Sequence, residues 1–368
     1  MTNYAEKIDY ELISKSFKNP SGKIVMGLDG FIDEVWQIIE SRAGREDYQL
    51  YERMSDFSKV FAECDEGGFS KEIVRRRRSY GGCTANTGKA VYRLGERPVL
   101  LGMFGLDGID TAFAEFAEHT ELIPVGEPGI CQIFEFTDGK LMLPFIQEVM
   151  SLDWQSLTSV IDENKLKDLT ADASIISLGY WSLMPAFDEI VANICGLLKD
   201  LPGERRMFFD LADIRKSERS TLESSLGKLA ALNGQIPITL SLNEHEAGIL
   251  FSYYGETIDA QDAEAADSKT ERVRAAIGLD ELIAHTPYFA AMSSASEGSC
   301  VVPQNYCTSP VITTGAGDNF NGGYLVATLK GLPMAERLTV ANAVTYLYVS
   351  VGHCPDKEEL FAELAITE

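Results

Sequence analysis

Thr313-Thr314-Gly315-Ala316-Gly317-Asp318 is the stretch whose reading decides the fold. It follows an extended run, Ser309-Pro310-Val311-Ile312, and opens into Asn319-Phe320-Asn321-Gly322-Gly323-Tyr324-Leu325-Val326-Ala327-Thr328-Leu329-Lys330, which stops at Gly331 with Pro333 beyond. The pattern is a strand, a glycine-rich turn and a helix. The first turn of a helix leaves main-chain N–H groups free and carries partial positive charge, so it suits an anion. Gly315 and Gly317 have no side chain to block a phosphate, and Asp318 adds a carboxylate at the same spot. An anion hole beside a carboxylate is what phosphoryl transfer needs: one holds the moving phosphate, the other orients the attacking hydroxyl and takes its proton. An Asp in a first helical turn also simply complements the helix dipole, so the reading depends on what the rest of the chain supplies. Its place by a helix N-terminus predicts a low pKa for Asp318.

Outward from this stretch, 368 residues with 45% apolar content suit a large α/β domain with a sizeable core. A formal net charge of −24 speaks against a general nucleic-acid binder or a protein of anionic membrane surfaces, and for a protein of small molecules whose phosphate site is locally positive. The seven cysteines are odd in number and have no metal-ligand spacing, which fits a reduced, cytoplasmic chain. The first residues have no secretory apolar core, and no apolar run approaches a membrane span.

After a polar, partly helical lead-in to about residue 20, Lys23 to Leu28 reads as the first buried strand, ending at Asp29-Gly30-Phe31-Ile32-Asp33. Carboxylates just past a strand end are placed to bond ligand hydroxyls. Leu50 to Cys64 has helical apolar spacing, a loop follows at Asp65-Glu66-Gly67-Gly68, and Glu72 to Tyr80 reads as a strand whose four arginines, Arg75 to Arg78, alternate faces two and two. Such a run binds an anionic substrate, guards an edge strand or pairs with surface carboxylates. Gly81-Gly82 leads into a helix with small residues on its first turn, Asn86 able to meet hydroxyls, and Gly95 as its stop. Strands at 99–105 and 130–136, with a helix over 111–118 between them and the second strand in a hairpin with 141–145, precede a regular alternation of strands at 173–178, 206–210, 238–242, 288–292 and 299–302. The helices of that part are expected at 185–200, 218–232, 244–253, 269–284, 316–330 and 334–351, giving a mostly parallel sheet with helices on its faces. Asn243 and Glu246 share a face of one helix start, where they hold a magnesium ion, directly or through water, or merely cap the helix.

Together these residues resemble the ribokinase-like (PfkB) carbohydrate kinase family over roughly 23–355. Gly81-Gly82 through Asn86 to Leu94-Gly95 looks like its N-terminal signature, and Thr313 to Asp318 with Phe320 and Gly323 like its C-terminal one. Asn243-x-x-Glu246, Gly105-x-Asp107 and Asp33 fall where the family has similar residues. The resemblance implies a single domain over 1–368 with a three-layer α/β/α fold, a mostly parallel central sheet and a small β lid built from parts of about 33–80 and 129–146. It implies transfer of the ATP γ-phosphate to a hydroxyl of a sugar or sugar derivative. Asp318 is then the catalytic base, Gly315, Ala316 and Gly317 the anion hole, and Asp33, Gly82 and Asn86 the substrate contacts. Asn243, Thr313, Gly298 and Asn342 serve the nucleotide, the last near adenine, and Glu246 with Asn243 serves Mg2+. The lid also offers a surface for a homodimer. Ile312 stands where the family usually has Asp, which counts against potassium activation. Ser294-Ala295-Ser296-Glu297-Gly298 stands for the family's Gly-x-x-Gly nucleotide loop with only Gly298 clear. The alternatives are a nucleoside kinase of the same fold and a catalytically silent ligand-binding relative. A dehydrogenase is disfavoured, because Gly102-x-x-Gly105 lacks the full dinucleotide fingerprint.

Overall fold

The computed structural model describes residues 8–19, 21–64, 67–261 and 263–366. The lead-in before residue 8 and the Asp65-Glu66 part of the expected loop lie outside them. Nine strands form the large sheet: β1 (Lys23–Leu28), β5 (Val99–Gly102), β6 (Glu121–Pro124), β9 (Ala173–Gly179), β10 (Arg206–Asp210), β11 (Ile238–Asn243), β12 (Glu281–His285), β13 (Phe289–Ser294) and β14 (Gly298–Pro303). Their order is β14-β13-β12-β11-β10-β9-β1-β5-β6, all parallel except β13, which runs against both neighbours. The strands are apolar on both faces, as a sheet covered on both sides requires. In β1, Val25 and Leu28 enter one core while Ile24 and Met26 enter the other; in β10, Met207 and Phe209 oppose Phe208.

The first core is closed by α5 (Trp154–Val160), α6 (Glu163–Ala171), α7 (Phe187–Leu198), α8 (Arg219–Asn233), α9 (Glu244–Tyr253) and α10 (Ala266–Ile277). The second is closed by α1 (Tyr10–Ser16), α3 (Cys83–Arg93), α11 (Ala316–Leu329), α12 (Met334–Val351) and α13 (Lys357–Glu363). This is the expected three-layer arrangement. The two short helices left are α2 (Met54–Ala62) and α4 (Gln147–Met150). A second sheet is built on β2 (Phe31–Arg42), which pairs with β3 (Tyr48–Leu50), β4 (Ile73–Gly81) and β7 (Gly129–Phe136), with β8 (Gly139–Phe145) beyond β7.

Four expectations are corrected. The helix read over 269–284 ends at Ile277, because Gly278 turns left-handed (φ 89°), and 281–285 is a strand instead. Residues 34–42, left without an element, complete the twelve-residue β2. Ser309 to Ile312 forms no strand: Val311 is exposed and its N–H bonds to Val349 O on α12 at 2.8 Å, not to a sheet edge. The helix read after Asp110 is a run of tighter 3₁₀ turns over Thr111–Glu118.

The chain runs from β1 through the small sheet to β5 and β6, then returns to β9 on the other side of β1. Ligands of open α/β sheets bind at such a reversal, beyond the carboxyl ends of the strands. Asp29 and Gly30 leave β1 there, Tyr180 leaves β9, and the N-termini of α3 and α11 converge on the same place.

Candidate active site

Gly315 precedes α11 in the left-handed region (φ 85°), where an L side chain is strained. A Cβ there would stand 2.9 Å from the Tyr348 hydroxyl, which donates to Thr314 O at 2.7 Å. The turn is closed by Ala316 N–H donating to Thr313 O at 3.1 Å and by Asn319, whose Nδ2 donates to Gly315 O at 2.9 Å. The N–H groups of Gly315, Gly317 and Asp318 have no acceptor among the described residues. The loop therefore presents several free donors at a helix start, as an anion requires, while Ala316 has its donor engaged.

Asp318 is half-buried and accepts from Asn86 Nδ2 at 2.9 Å. The Cys83 thiol, at the first position of α3, bonds to the same carboxylate. Its pKa is pushed up to about 8, first by burial, then by Asp210 and Asp29, against the lowering effect of Asn86 and Cys83. The low pKa expected from the helix N-terminus is thus overturned by desolvation and neighbouring carboxylates. Asp29 is fully buried: its Oδ1 accepts from Thr84 N (2.8 Å) and Thr84 Oγ1 (2.5 Å), while Oδ2 has no partner. Burial lifts this carboxyl to about 6. Gly82, at φ 92°, must lack a side chain, since a Cβ would fall 2.2 Å from Asp29 Oδ2.

Next to Asp318 lies a cavity of about 450 Å³, lined by Thr313 to Asp318, Cys83, Asp210, Asp213, Asn243 and Glu246 among others. Asn321, one turn along α11 from Asp318, donates to Asp210 Oδ2 at 2.6 Å and accepts from Ser241 Oγ at 2.8 Å. Asn243 and Glu246 form a reciprocal cap: Asn243 Oδ1 accepts from Glu246 N at 3.1 Å, and Glu246 Oε2 from Asn243 N at 3.0 Å. Burial and then Asp210 raise the Glu246 carboxyl well above the usual range, and burial raises Asp210 too. Among the described residues no group of three His, Cys, Asp or Glu side chains is arranged to hold a metal directly. Two carboxyls with raised pKa values, Glu246 buried and Asp210 half-buried, still fit a partly hydrated divalent cation, which would stabilise both as anions.

A second cavity, of about 290 Å³, is lined by Asp33, Arg77, Asn86, Lys140, Thr314 and Tyr348 among others. Asp33 lies on β2 with its carboxyl against Gly81, and burial lifts it to about 6 despite Arg77 and Lys140. The two cavities share Thr314, and the Asn86–Asp318 bond spans them.

Of the predicted nucleotide residues, Gly298 stands elsewhere, while Asn342 lies beside β14 near the site end and lines a cavity of its own. Ser294 pairs with Gly298 and with Glu281, at the amino end of the parallel strands, so the 294–298 turn is at the opposite end of the sheet from Asn243. The turn at the site end is Thr286-Pro287-Tyr288, between β12 and β13. Asn342 donates to Val302 O (3.2 Å) and Pro303 O (3.3 Å) and lines a separate cavity with Ile8 and Tyr346. Sequence reasoning missed Tyr348, near which nothing in sequence marks a site, and passed over Cys83, which lies inside the glycine-pair signature between Gly82 and Asn86.

A parallel α/β sheet with a glycine-turn carboxylate at its reversal point and a small sheet beside it is the architecture of ribokinase-fold kinases. Arabidopsis thaliana ribokinase complexed with ribose and ATP aligns at TM-score 0.63 with 17% identity, covering 95% of this chain and 100% of that one. A carbohydrate kinase from Agrobacterium tumefaciens aligns at 0.62 with 16% identity, over 94% and 98%. The chain belongs to the prokaryotic ketohexokinase family, whose profile matches residues 9–365. It is a sugar kinase, a phosphotransferase with an alcohol group as acceptor. The ketohexokinase of Haloferax volcanii is 29% identical over 350 residues, 93% of this chain and 90% of that protein. No helix among the described residues is long and apolar enough to cross a membrane.

Proposed function

We propose that the chain transfers the γ-phosphoryl group of ATP to a hydroxyl of a ketohexose, with Asp318 as the base. The observation that carries this is the place of Asp318: it stands where the two cavities meet, beside free main-chain donors on one side and Asn86 on the other. Asp33 and Asn86 hold sugar hydroxyls, and Gly82 keeps the main chain close to them. The N–H groups of Gly315 and Gly317, joined by Ala316 once it releases Thr313, hold the phosphoryl group. Thr313 and Asn243 border the phosphates. Glu246 and Asp210 hold Mg2+ through water, and the ion neutralises phosphate charge when bound. The small sheet acts as the lid, and exposed Met142, Leu143 and Phe145 on β8 support a homodimer through it.

The ketohexose rests on the family and on the Haloferax relative; ATP rests on the Arabidopsis ribokinase complex. A nucleoside kinase from Methanocaldococcus jannaschii has the same fold at TM-score 0.57, so fold alone does not separate sugar from nucleoside. The test is coupled ADP release with ATP and Mg2+ across ketohexoses, aldohexoses, pentoses and nucleosides. Turnover with a ketohexose at least tenfold above the others in kcat/KM is expected; preference for a nucleoside or a pentose overturns the reading.

Asn86→Ala gives a second expected result. The amide stabilises the charged form of Asp318, so its loss raises a pKa already near 8. The acid limb of the kcat/KM profile should move up by about one pH unit, with activity at pH 7 falling on the order of tenfold or more. An unmoved limb would mean that Asn86 serves only the sugar.

A further inference from the structure

Four consecutive arginines stand on β4 in a chain of formal net charge −24. Three of them are engaged within or beside the small sheet. Arg75 pairs with Glu34 at 3.1 Å and lies over the Trp36 ring. Arg76 bonds Gln37 Oε1 at 2.6 Å, and Arg78 grips both carboxylate oxygens of Asp110 at 2.7 Å. Arg77 makes no ion pair or hydrogen bond with any described residue, and strand geometry fixes where it faces. It stands opposite Val35, and Ser79 opposite Asp33, so the period of two puts Arg77, Ser79 and Asp33 on one face. That face, with Ile133 and Lys140 from β7 and β8, lines the cavity whose far wall is Thr314, Asn319 and Tyr348. Because the Tyr348 hydroxyl holds Thr314 O at 2.7 Å, Arg77 looks across the sugar-side cavity at the residue that opens the glycine turn.

The charges around this space need a partner of that kind. Asp318, Asp210, Asp33 and Glu246 converge on the two cavities. The other cations there are already paired: Lys89 with Glu115 at 3.1 Å, Lys140 with Glu135 at 3.5 Å, Arg215 with Asp213 at 2.7 Å. A phosphoryl group arriving among these carboxylates needs a cation not already neutralised. An unpaired guanidinium offers up to five N–H donors in a fork that matches phosphoryl oxygens.

We propose that Arg77 is a catalytic residue carried by the small sheet: its guanidinium binds the nonbridging oxygens of the phosphoryl group as it passes to the sugar, and holds them in the product. This rests on the kinase reading above and adds the group that meets the phosphoryl from the sugar side. In the step, the sugar hydroxyl oxygen forms a bond to the γ-phosphorus while the bond to the bridging oxygen of ADP breaks. The hydroxyl proton passes to Asp318. Arg77 exchanges no atom and supplies charge and geometry alone.

The experiment is steady-state kinetics with ATP, Mg2+ and D-fructose for the parent, Arg77→Gln and Arg77→Lys, with Arg75→Gln as the control for altered sheet charge. For Arg77→Gln, kcat should fall about 10²-fold with KM for the sugar within about threefold, and inhibition by the sugar phosphate product should weaken about tenfold. Arg77→Lys should recover part of kcat, and Arg75→Gln should stay within about twofold of the parent. A kcat within tenfold of the parent overturns the proposal, as does a loss confined to KM for the sugar. Should the parent phosphorylate another sugar of the panel and not D-fructose, the ketohexose reading falls. The same comparison on that other sugar still decides Arg77, so the two failures are seen separately.

Discussion

Asp318→Asn should abolish turnover and at the same time stabilise the protein, more so as pH rises. The activity loss follows from the role proposed for Asp318, to orient the hydroxyl and take its proton, a role worth about 10²–10⁴-fold; a fall of at least about 10³ in kcat is expected. The stability gain follows from linkage. The folded pKa is about 8 and the ordinary value 3.8, so between these limits the folded state binds more protons than the unfolded chain. Stability contributed by this group is then full below about pH 4 and is lost as pH rises towards 8. The amide has no such dependence and can still accept from Asn86. Conversion at about 1.4 kcal/mol per pH unit gives an upper bound, and water in the open cavity trims it. The variant should exceed the parent by on the order of 3 kcal/mol at pH 8, and by about 1 kcal/mol or less at pH 5. Urea melts at the two pH values measure this. An equal gap at both would show that Asp318 titrates near the ordinary value, and retention of a tenth of the activity would remove it from the role of base. In the same picture kcat/KM of the parent should climb from pH 6 to about 8.

What was legible in advance follows the range of the physics involved. The alternation of short apolar strands with helices is local, and it located all ten strands it proposed between residues 23 and 303 to within a few residues. The glycine turn was equally readable, because left-handed backbone at Gly315 and a free helix N-terminus are properties of a few consecutive residues. The pKa of Asp318 was not, since it depends first on burial in the folded chain and then on Asp210 and Asp29, which arrive from β10 and the end of β1. Gly298 shows the same limit in another form. A glycine after a strand looks alike at either end of a sheet, and only the antiparallel register of β13 shows that this one faces away from the site. The strand at 281–285 was hidden because Glu281, a residue of helices and surfaces in most settings, is wholly buried there. Its burial is explicable only once the distant partners are known.

Those partners make Glu281 the site of the second large expected effect. Glu281 Oε2 accepts from Thr239 Oγ1 at 2.7 Å and Tyr324 OH at 2.8 Å, and lies 3.1 Å from Arg206; Oε1 accepts from Arg337 at 3.1 Å. Arg337 is nearly buried itself and also pairs with Glu297. Burial alone would raise the Glu281 carboxyl, but Arg337, Arg206, Thr239 and Tyr324 together hold it below its ordinary value. Removing one member of such a network leaves the others buried without their charge partner, which costs about 3–5 kcal/mol. Glu281→Ala should therefore destabilise by about that amount. The loss should shrink as pH falls through the acid range, because a carboxyl with a lowered folded pKa contributes stability above its unfolded value and loses it on protonation. The network ties β11, β12, α11 and α12 at the end of the sheet away from Asn243, so it supports the glycine turn only through the body of α11. At a temperature where the variant remains folded, kcat and both KM values should lie within about threefold of the parent, since a substitution remote from the reacting atoms acts on the folded fraction rather than on the site. A cost under about 1 kcal/mol would mean that the four donors only offset the desolvation of the carboxylate. A fall in kcat in the fully folded variant would mean that α11 transmits strain from Tyr324 to Asp318, six residues away.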